Sequence, residues 1–336
     1  MELRRATITA VSHYAPEKIL TNADLEKIVD TNDEWIRTRT GIRERRILEH
    51  GATSELAVKA VQQVLENRGI TAEEIDLIII ATITPDMILP ATAYIVQEKI
   101  GASKAWGFDL NAACSGFLYA LSVGARFIEA GVHSKVIVVG ADKMSSITDY
   151  TDRNTCVLFG DAAGAVLLEP TDEKEYGIID QCLHSDGSGG DFLNIKGGGS
   201  LNPPTHETID KKMHYVFQDG KAVFKSAVVC MADVSEEIMK RNHLKSSDIA
   251  WLVPHQANLR IIDATAQRMK IDSSKVMINI DRFGNTTAAT IPICLSEWWQ
   301  AGKLRRGQNI VLASFGAGYT WGSMLVKWSL VNPGKS

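Results

Sequence analysis

Cysteine is scarce: the 336 residues include five, scattered, with no CxxC pair and no Cys/His cluster at zinc spacing. Neither a disulfide framework nor a structural metal is expected. Long apolar runs are missing too. Nothing approaches the ~18 apolar residues of a membrane helix, and the best stretch, Leu77 to Leu89, is broken by Pro85 and Asp86. The segment after Met1-Glu2-Leu3-Arg4-Arg5 is too short for a signal peptide, because His13 and Pro16 interrupt it. Charge of one sign is also lacking. A formal net charge of −4 gives no global drive toward nucleic acid or an anionic membrane. The expectation is a cytoplasmic protein with reduced thiols and no membrane or nucleic-acid partner. Two cofactor or catalytic loops are absent. Gly316-Ala317-Gly318 continues to Trp321-Gly322 at the wrong spacing for GxGxxG and leads into strand, which argues against a dinucleotide dehydrogenase. GxSxG does not occur, which argues against a serine hydrolase.

What is present is an ordinary globular composition, 45% hydrophobic and 23% charged, in a chain long enough for one large domain or two fused ones. Short apolar runs alternate with helical patterns, which predicts an α/β protein. Asp76-Leu77-Ile78-Ile79-Ile80-Ala81 and Lys135-Val136-Ile137-Val138-Val139-Gly140 read as interior strands covered on both faces. Between them, Cys114 to Ala130 has helical spacing and Gly131 as its stop. The same grammar recurs later in the chain. Ala250-Trp251-Leu252-Val253 repeats the first strand, Asn285 to Ala301 the helix, and Asn309-Ile310-Val311-Leu312-Ala313 the second strand. Closing hairpins are expected at Val157–Leu168 and Tyr319–Leu330. The pattern predicts two fused halves, 1–172 and 173–336, with a cleft where their strand ends meet. Ser185–His206, rich in Gly, Ser and Pro, reads as a surface excursion.

Asp109-Leu110-Asn111-Ala112-Ala113-Cys114-Ser115-Gly116-Phe117 is the most informative segment. A strand ends, small residues surround a cysteine, and an apolar helix starts at once. A thiol at a helix N-terminus feels the positive end of the macrodipole, which lowers its pKa, and its own N–H is free to meet an oxyanion. The bland alternative is a small buried hydrophobe, which suits Cys156, Cys182, Cys230 and Cys294. Of the eight histidines, His255 follows a strand directly in Pro254-His255-Gln256-Ala257-Asn258, a position favoured for catalysis in α/β folds. Asn285, in Phe283-Gly284-Asn285-Thr286-Thr287, is either a helix N-cap or, by the duplication, the counterpart of Cys114.

These segments resemble the β-ketoacyl-acyl-carrier-protein synthase III family. So do Gly316-Ala317-Gly318-Tyr319-Thr320-Trp321-Gly322, Asp33-Glu34-Trp35-Ile36 with Arg39-Thr40-Gly41-Ile42, and Phe159-Gly160-Asp161-Ala162-Ala163-Gly164-Ala165. The match is co-linear over nearly the whole chain. It implies an α/β protein with the thiolase-like duplicated five-layer α-β-α-β-α fold, no metal and no cofactor. It also implies a homodimer that condenses an acyl-CoA primer with malonyl-acyl-carrier protein. Cys114, His255 and Asn285 are the implied catalytic set, with the backbone N–H groups of Cys114 and Ala317 as oxyanion donors. Ala317 stands where the family often has glycine, but only its amide is needed.

The resemblance also implies substrate contacts. Trp35 and Arg153 would sandwich the adenine of CoA. Arg39, Thr40, Gly220, Phe224, Asn258 and Phe315 would line the pantetheine tunnel. Lys225, Arg260 and Arg268, with Gln256, Ala257, Asn258 and Leu259, would meet the acidic carrier protein. Leu89 matches a primer-pocket position reached from the partner subunit, where phenylalanine is frequent in acetyl-selective members. The smaller side chain leaves room for a longer or branched primer. The alternatives are a relative that makes a quinolone or polyketide starter, and a non-catalytic carrier-binding protein.

Overall fold

The computed structural model describes residues 4–331. Met1–Leu3, where the segment weighed as a leader begins, lie outside the described residues. Five strands make the first sheet: β1 (Arg5–Tyr14), β2 (Leu77–Ala81), β3 (Trp106–Leu110), β4 (Val136–Asp142) and β5 (Ala162–Thr171), in the order β1-β5-β4-β2-β3. Four make the second: β6 (Gly177–Ser185), β7 (Ile249–Pro254), β8 (Asn309–Gly316) and β9 (Thr320–Lys327), in the order β7-β8-β9-β6. The orders are the same topology twice. In each sheet two neighbouring strands run parallel (β2 with β4, β7 with β8) and the next pairs antiparallel. The counterpart of β3 is reduced to a bridge of Val276 to Leu252.

Helix α1 (Asp33–Thr40) lies at the edge of the fold. Helices α2 (Thr53–Arg68) and α3 (Thr92–Ile100) cover one face of the first sheet, while α5 (Gly220–Arg241) and α6 (Leu259–Met269) cover one face of the second. Between the sheets lie α4 (Gly116–Glu129) and α7 (Thr290–Gln300), whose apolar residues share one core with the inner faces of both sheets. That gives five layers. Every residue of β2 and β4 is buried, as strands covered on both faces must be. Among the described residues no helix is long and apolar enough to cross a membrane, and all five cysteines are free.

Three boundaries differ from the sequence reading. The first helix begins at Gly116, and Cys114 occupies the 3-10 turn Ala113–Ser115 that leads into it. The second begins at Thr290, after the 3-10 turn Thr287–Ala289, so Asn285 is not its N-cap. Neither Val157–Leu168 nor Tyr319–Leu330 is a hairpin in itself: each holds one strand, β5 from Ala162, which pairs with β4 across a long connection, and β9, which a tight turn joins to β8 upstream of the expected range.

Candidate active site

The two 3-10 turns place the candidate residues. In each, an asparagine precedes by two positions a residue held in the left-handed region, Ala113 at φ 47° and Thr287 at φ 51°. The asparagine side chain is tied down by that residue's amide. Ala113 N–H donates to Asn111 Oδ1 (3.3 Å) and Thr287 N–H donates to Asn285 Oδ1 (2.9 Å). Aligned on this geometry, Asn285 is the counterpart of Asn111, and Cys114 corresponds to Ala288. The duplication therefore does not set Asn285 opposite Cys114 as the sequence pattern suggested. The offset is invisible in the pattern because it depends on where the backbone turns left-handed.

Each turn rests on a strand of the opposite sheet. The Cys114 turn lies on β8 and the start of β9, where Ser314 Oγ donates to Cys114 O (2.8 Å) and Thr320 Oγ1 donates to Ala112 O (2.9 Å). Gly316 is needed there, since a Cβ would stand 2.7 Å from the Cys114 nitrogen. The Asn285 segment runs against Leu158–Gly160. Asn285 N–H donates to Leu158 O (2.9 Å) and Gly160 N–H donates to Asn285 O (3.1 Å). His255, directly after β7, is fixed by its own N–H to Ala313 O (2.7 Å) and by Nδ1 against Thr290 Oγ1 (2.8 Å).

Cys114, His255 and Asn285 open onto one cavity of about 1030 Å³. Burial lowers the His255 pKa to about 3, so the imidazole is neutral at any physiological pH. Burial first, and then the charge of Asp142, push the Cys114 thiol up to about 12. The sequence reading expected a thiol acidified by the helix terminus. Desolvation outweighs that effect here, because the cavity floor lies deep between the sheets. Among the described residues the backbone N–H of Ala317 donates to no backbone carbonyl, that of Cys114 lies within reach of its own sulfur, and both residues line the cavity.

Comparison with known proteins fits this geometry. Profiles described as 3-oxoacyl-[acyl-carrier-protein] synthase III and its C-terminal part match residues 108–187 and 239–328. The β-ketoacyl-[acyl-carrier-protein] synthase III of Chlorobium luteolum is 60% identical over 326 residues, covering 96% of this chain and 99% of the relative. The crystal structure of 3-oxoacyl-[acyl-carrier-protein] synthase III from Aquifex aeolicus superposes with a TM-score of 0.90 at 40% identity, covering 96% of this chain and all of that one. The priming β-ketosynthase of the R1128 polyketide pathway also reaches a TM-score of 0.90, covering 98% and 97% of the two chains, at the lower identity of 32%. The chain belongs to the 3-oxoacyl-[acyl-carrier-protein] synthase III family. Its fold is the thiolase fold of that family, and it is a condensing acyltransferase.

Of the contacts that membership in the synthase III family implies, most come together. Trp35, Arg39, Thr40, Gly220, Phe224, Ala257, Asn258, Arg260 and Phe315 all line the cavity. Asn258 caps α6 through Oδ1 to Arg260 N–H and donates from Nδ2 to Arg39 O (2.9 Å), which joins α6 to α1 at the mouth. The pair expected to sandwich adenine is closed on itself. Arg153 lies over the Trp35 ring, 4.8 Å from its centroid, and leaves no room for a ring between them until its side chain swings away. Gln256 cannot reach a partner, because it is fully buried. Its amide donates to Pro254 O (2.7 Å) and Met277 O (3.1 Å) and accepts from Asn279 N–H (3.1 Å). Lys225 and Arg260 are exposed, Arg260 lies 5.0 Å over the Phe224 ring, and Arg268 is held by Asp233 and Glu236. Leu89 is 83% exposed and does not line its own chain's cavity.

Sequence reasoning missed part of the wall. Leu193, Asn194 and Ile195, inside the supposed surface excursion, line the cavity together with Ile83, Met144 and Val216. It also missed Asn111, Thr287 and Thr290. The recurrence of Asn-x-x before both turns, Asn111-Ala112-Ala113 and Asn285-Thr286-Thr287, was the signal that could have found the first two.

Proposed function

We propose that this protein carries out the initiating condensation of fatty acid synthesis on Cys114, His255 and Asn285. The acyl group of an acyl-CoA primer passes to the Cys114 sulfur, and the thiol proton leaves with CoA. Malonyl-acyl-carrier protein then loses carbon dioxide. The resulting enolate attacks the acyl-enzyme and expels the Cys114 thiolate, which takes a proton from solvent. A sulfur nucleophile suits both halves, since it attacks thioesters readily and leaves easily. The Cys114 and Ala317 amides, both on the cavity wall, would donate to the tetrahedral oxyanions. Asn285, with Oδ1 occupied, offers Nδ2–H to the enolate oxygen. The single Thr290 hydroxyl proton has two acceptors in reach, Thr287 O (3.0 Å) and Nδ1 of the neutral His255 (2.8 Å); we assign it to Nδ1, the shorter contact, which leaves Nε2–H as the second donor.

The observation that carries this reading is the single cavity shared by all three residues. Its mouth bears Arg39, Lys221 and Arg260, suited to the phosphates of CoA or of a carrier's phosphopantetheine. We also propose the sequence halves 1–172 and 173–336, a homodimer with Leu89 reaching the partner's primer pocket, a rim of Lys225 and Arg260 for the carrier protein, and a cytoplasmic location. Intact-mass measurement after incubation with acyl-CoA tests the core claim. Wild type gains one acyl mass and Cys114→Ala none. His255→Ala and Asn285→Ala still gain it but release no carbon dioxide from malonyl-carrier protein. An adduct on Cys114→Ala, or acylation lost in the other two, defeats the assignment.

A further inference from the structure

Asp142 ends β4, is fully buried, and has no part in the chemistry above. Its Oδ1 accepts from Ile83 N–H (2.8 Å), Thr82 Oγ1 (2.9 Å), Thr84 Oγ1 (3.0 Å) and Thr84 N–H (3.2 Å). Its Oδ2 accepts from Thr287 Oγ1. No ion pair to it occurs among the described residues. Burial raises its pKa above the usual carboxylate value, and five donors converging on the two oxygens oppose that and favour the carboxylate.

The Thr287 contact leads to the active site. Thr287 is the left-handed residue whose N–H pins Asn285 Oδ1. Two residues back on the same face of β4, Gly140 lets the strand meet the following turn, since a Cβ there would lie 2.3 Å from Ala288 O. That face of β4 is therefore a seat for Thr287–Ala289. If the seat loosens, the Thr287 amide no longer fixes the Asn285 carboxamide. The side chain can then rotate to turn an oxygen toward the cavity, where an enolate oxygen would be repelled.

We propose that Asp142 is a positioning residue for the condensation: through Thr287 it fixes which end of the Asn285 carboxamide faces the substrate. The proposal rests on the reading of Asn285 as an enolate donor. A second effect of the same carboxylate is separable. Its charge also acts on Cys114 and favours the thiol over the thiolate.

Three variants divide tether from charge. Thr287→Val keeps the carboxylate but removes the hydroxyl link, Thr287→Ser keeps both, and Asp142→Asn removes the charge while its amide can still bond Thr287. For each, we would measure carbon dioxide release from malonyl-carrier protein, acyl-Cys114 formation by mass, and the pH profile of Cys114 alkylation by iodoacetamide. Thr287→Val should lose about tenfold or more in carbon dioxide release while acylation stays within about twofold of wild type, and Thr287→Ser should restore both. Asp142→Asn should move the alkylation profile to lower pH, and Thr287→Val should leave it in place. Equal loss of both half-reactions in Thr287→Val, or wild-type carbon dioxide release, overturns the tether; an unmoved profile in Asp142→Asn overturns the charge effect. Wild type that releases no carbon dioxide overturns the functional reading itself and this inference with it. An active wild type with unaffected variants overturns this inference alone.

Discussion

A cysteine at a helix entrance is subject to two opposed influences. The helix terminus and free amides stabilise a thiolate, whereas burial and a neighbouring negative charge destabilise it. In this protein the second pair dominates and the thiol pKa rises to about 12. Resting Cys114 is therefore a protonated thiol, and in the proposed reaction it would become nucleophilic as the bound thioester carbonyl and the Cys114 and Ala317 amides share the developing charge. The sign for pH follows. Below its pKa the thiolate fraction grows about tenfold per pH unit, so alkylation of the free enzyme by iodoacetamide should keep climbing through pH 9. A plateau near pH 7 would show the macrodipole in control. His255 contributes no titration to that curve, since its neutral form persists down to about pH 3.

At the scale of elements, the site depends on a crossing: each catalytic turn is seated on a strand from the other sheet. Gly140 of β4 admits the turn after Asn285, and Gly316 of β8 admits the Cys114 turn. A methyl at 316 would stand 2.7 Å from the Cys114 nitrogen, against backbone that cannot yield without moving the nucleophile. Gly316→Ala should therefore cut the acylation rate by roughly a hundredfold, the scale for losing one oxyanion donor, while circular dichroism shows the fold kept. Acylation at wild-type rate would mean that the Cys114 amide is not an oxyanion donor. This crossing also marks where sequence reading stops. The Cys114 and His255 neighbourhoods were legible because a strand end, small residues and a following helix are local. The Asn285 register, the burial of Gln256 and the cavity wall at Leu193–Ile195 were not. The last two are set by contacts between segments far apart in the chain and the first by where the backbone turns left-handed; apolar periodicity carries no trace of either.

For the whole molecule, the loop Met87–Leu89 is the feature a single chain does not explain. Met87, Ile88 and Leu89 are 50%, 88% and 83% exposed, three apolar side chains in a row on the surface. β3 is an edge strand of its sheet, with Trp106 47% exposed. Meanwhile Ile83, Met144, Leu193, Ile195 and Val216 form an apolar wall in the cavity that holds Cys114, fit for an acyl chain. A second copy paired along this edge would bury the loop and bring Leu89 to the partner's acyl pocket. The side chain at 89 would then set how long a primer the other subunit takes, so its effect on specificity requires the dimer. Light scattering should therefore find a dimer, and Leu89→Phe should raise the preference for acetyl-CoA over isobutyryl-CoA and butyryl-CoA by roughly tenfold, the scale of a few methylenes in an apolar pocket. A monomer, or a dimer whose primer ranking ignores the change, would mean that the pocket is closed within one chain and the loop serves another surface.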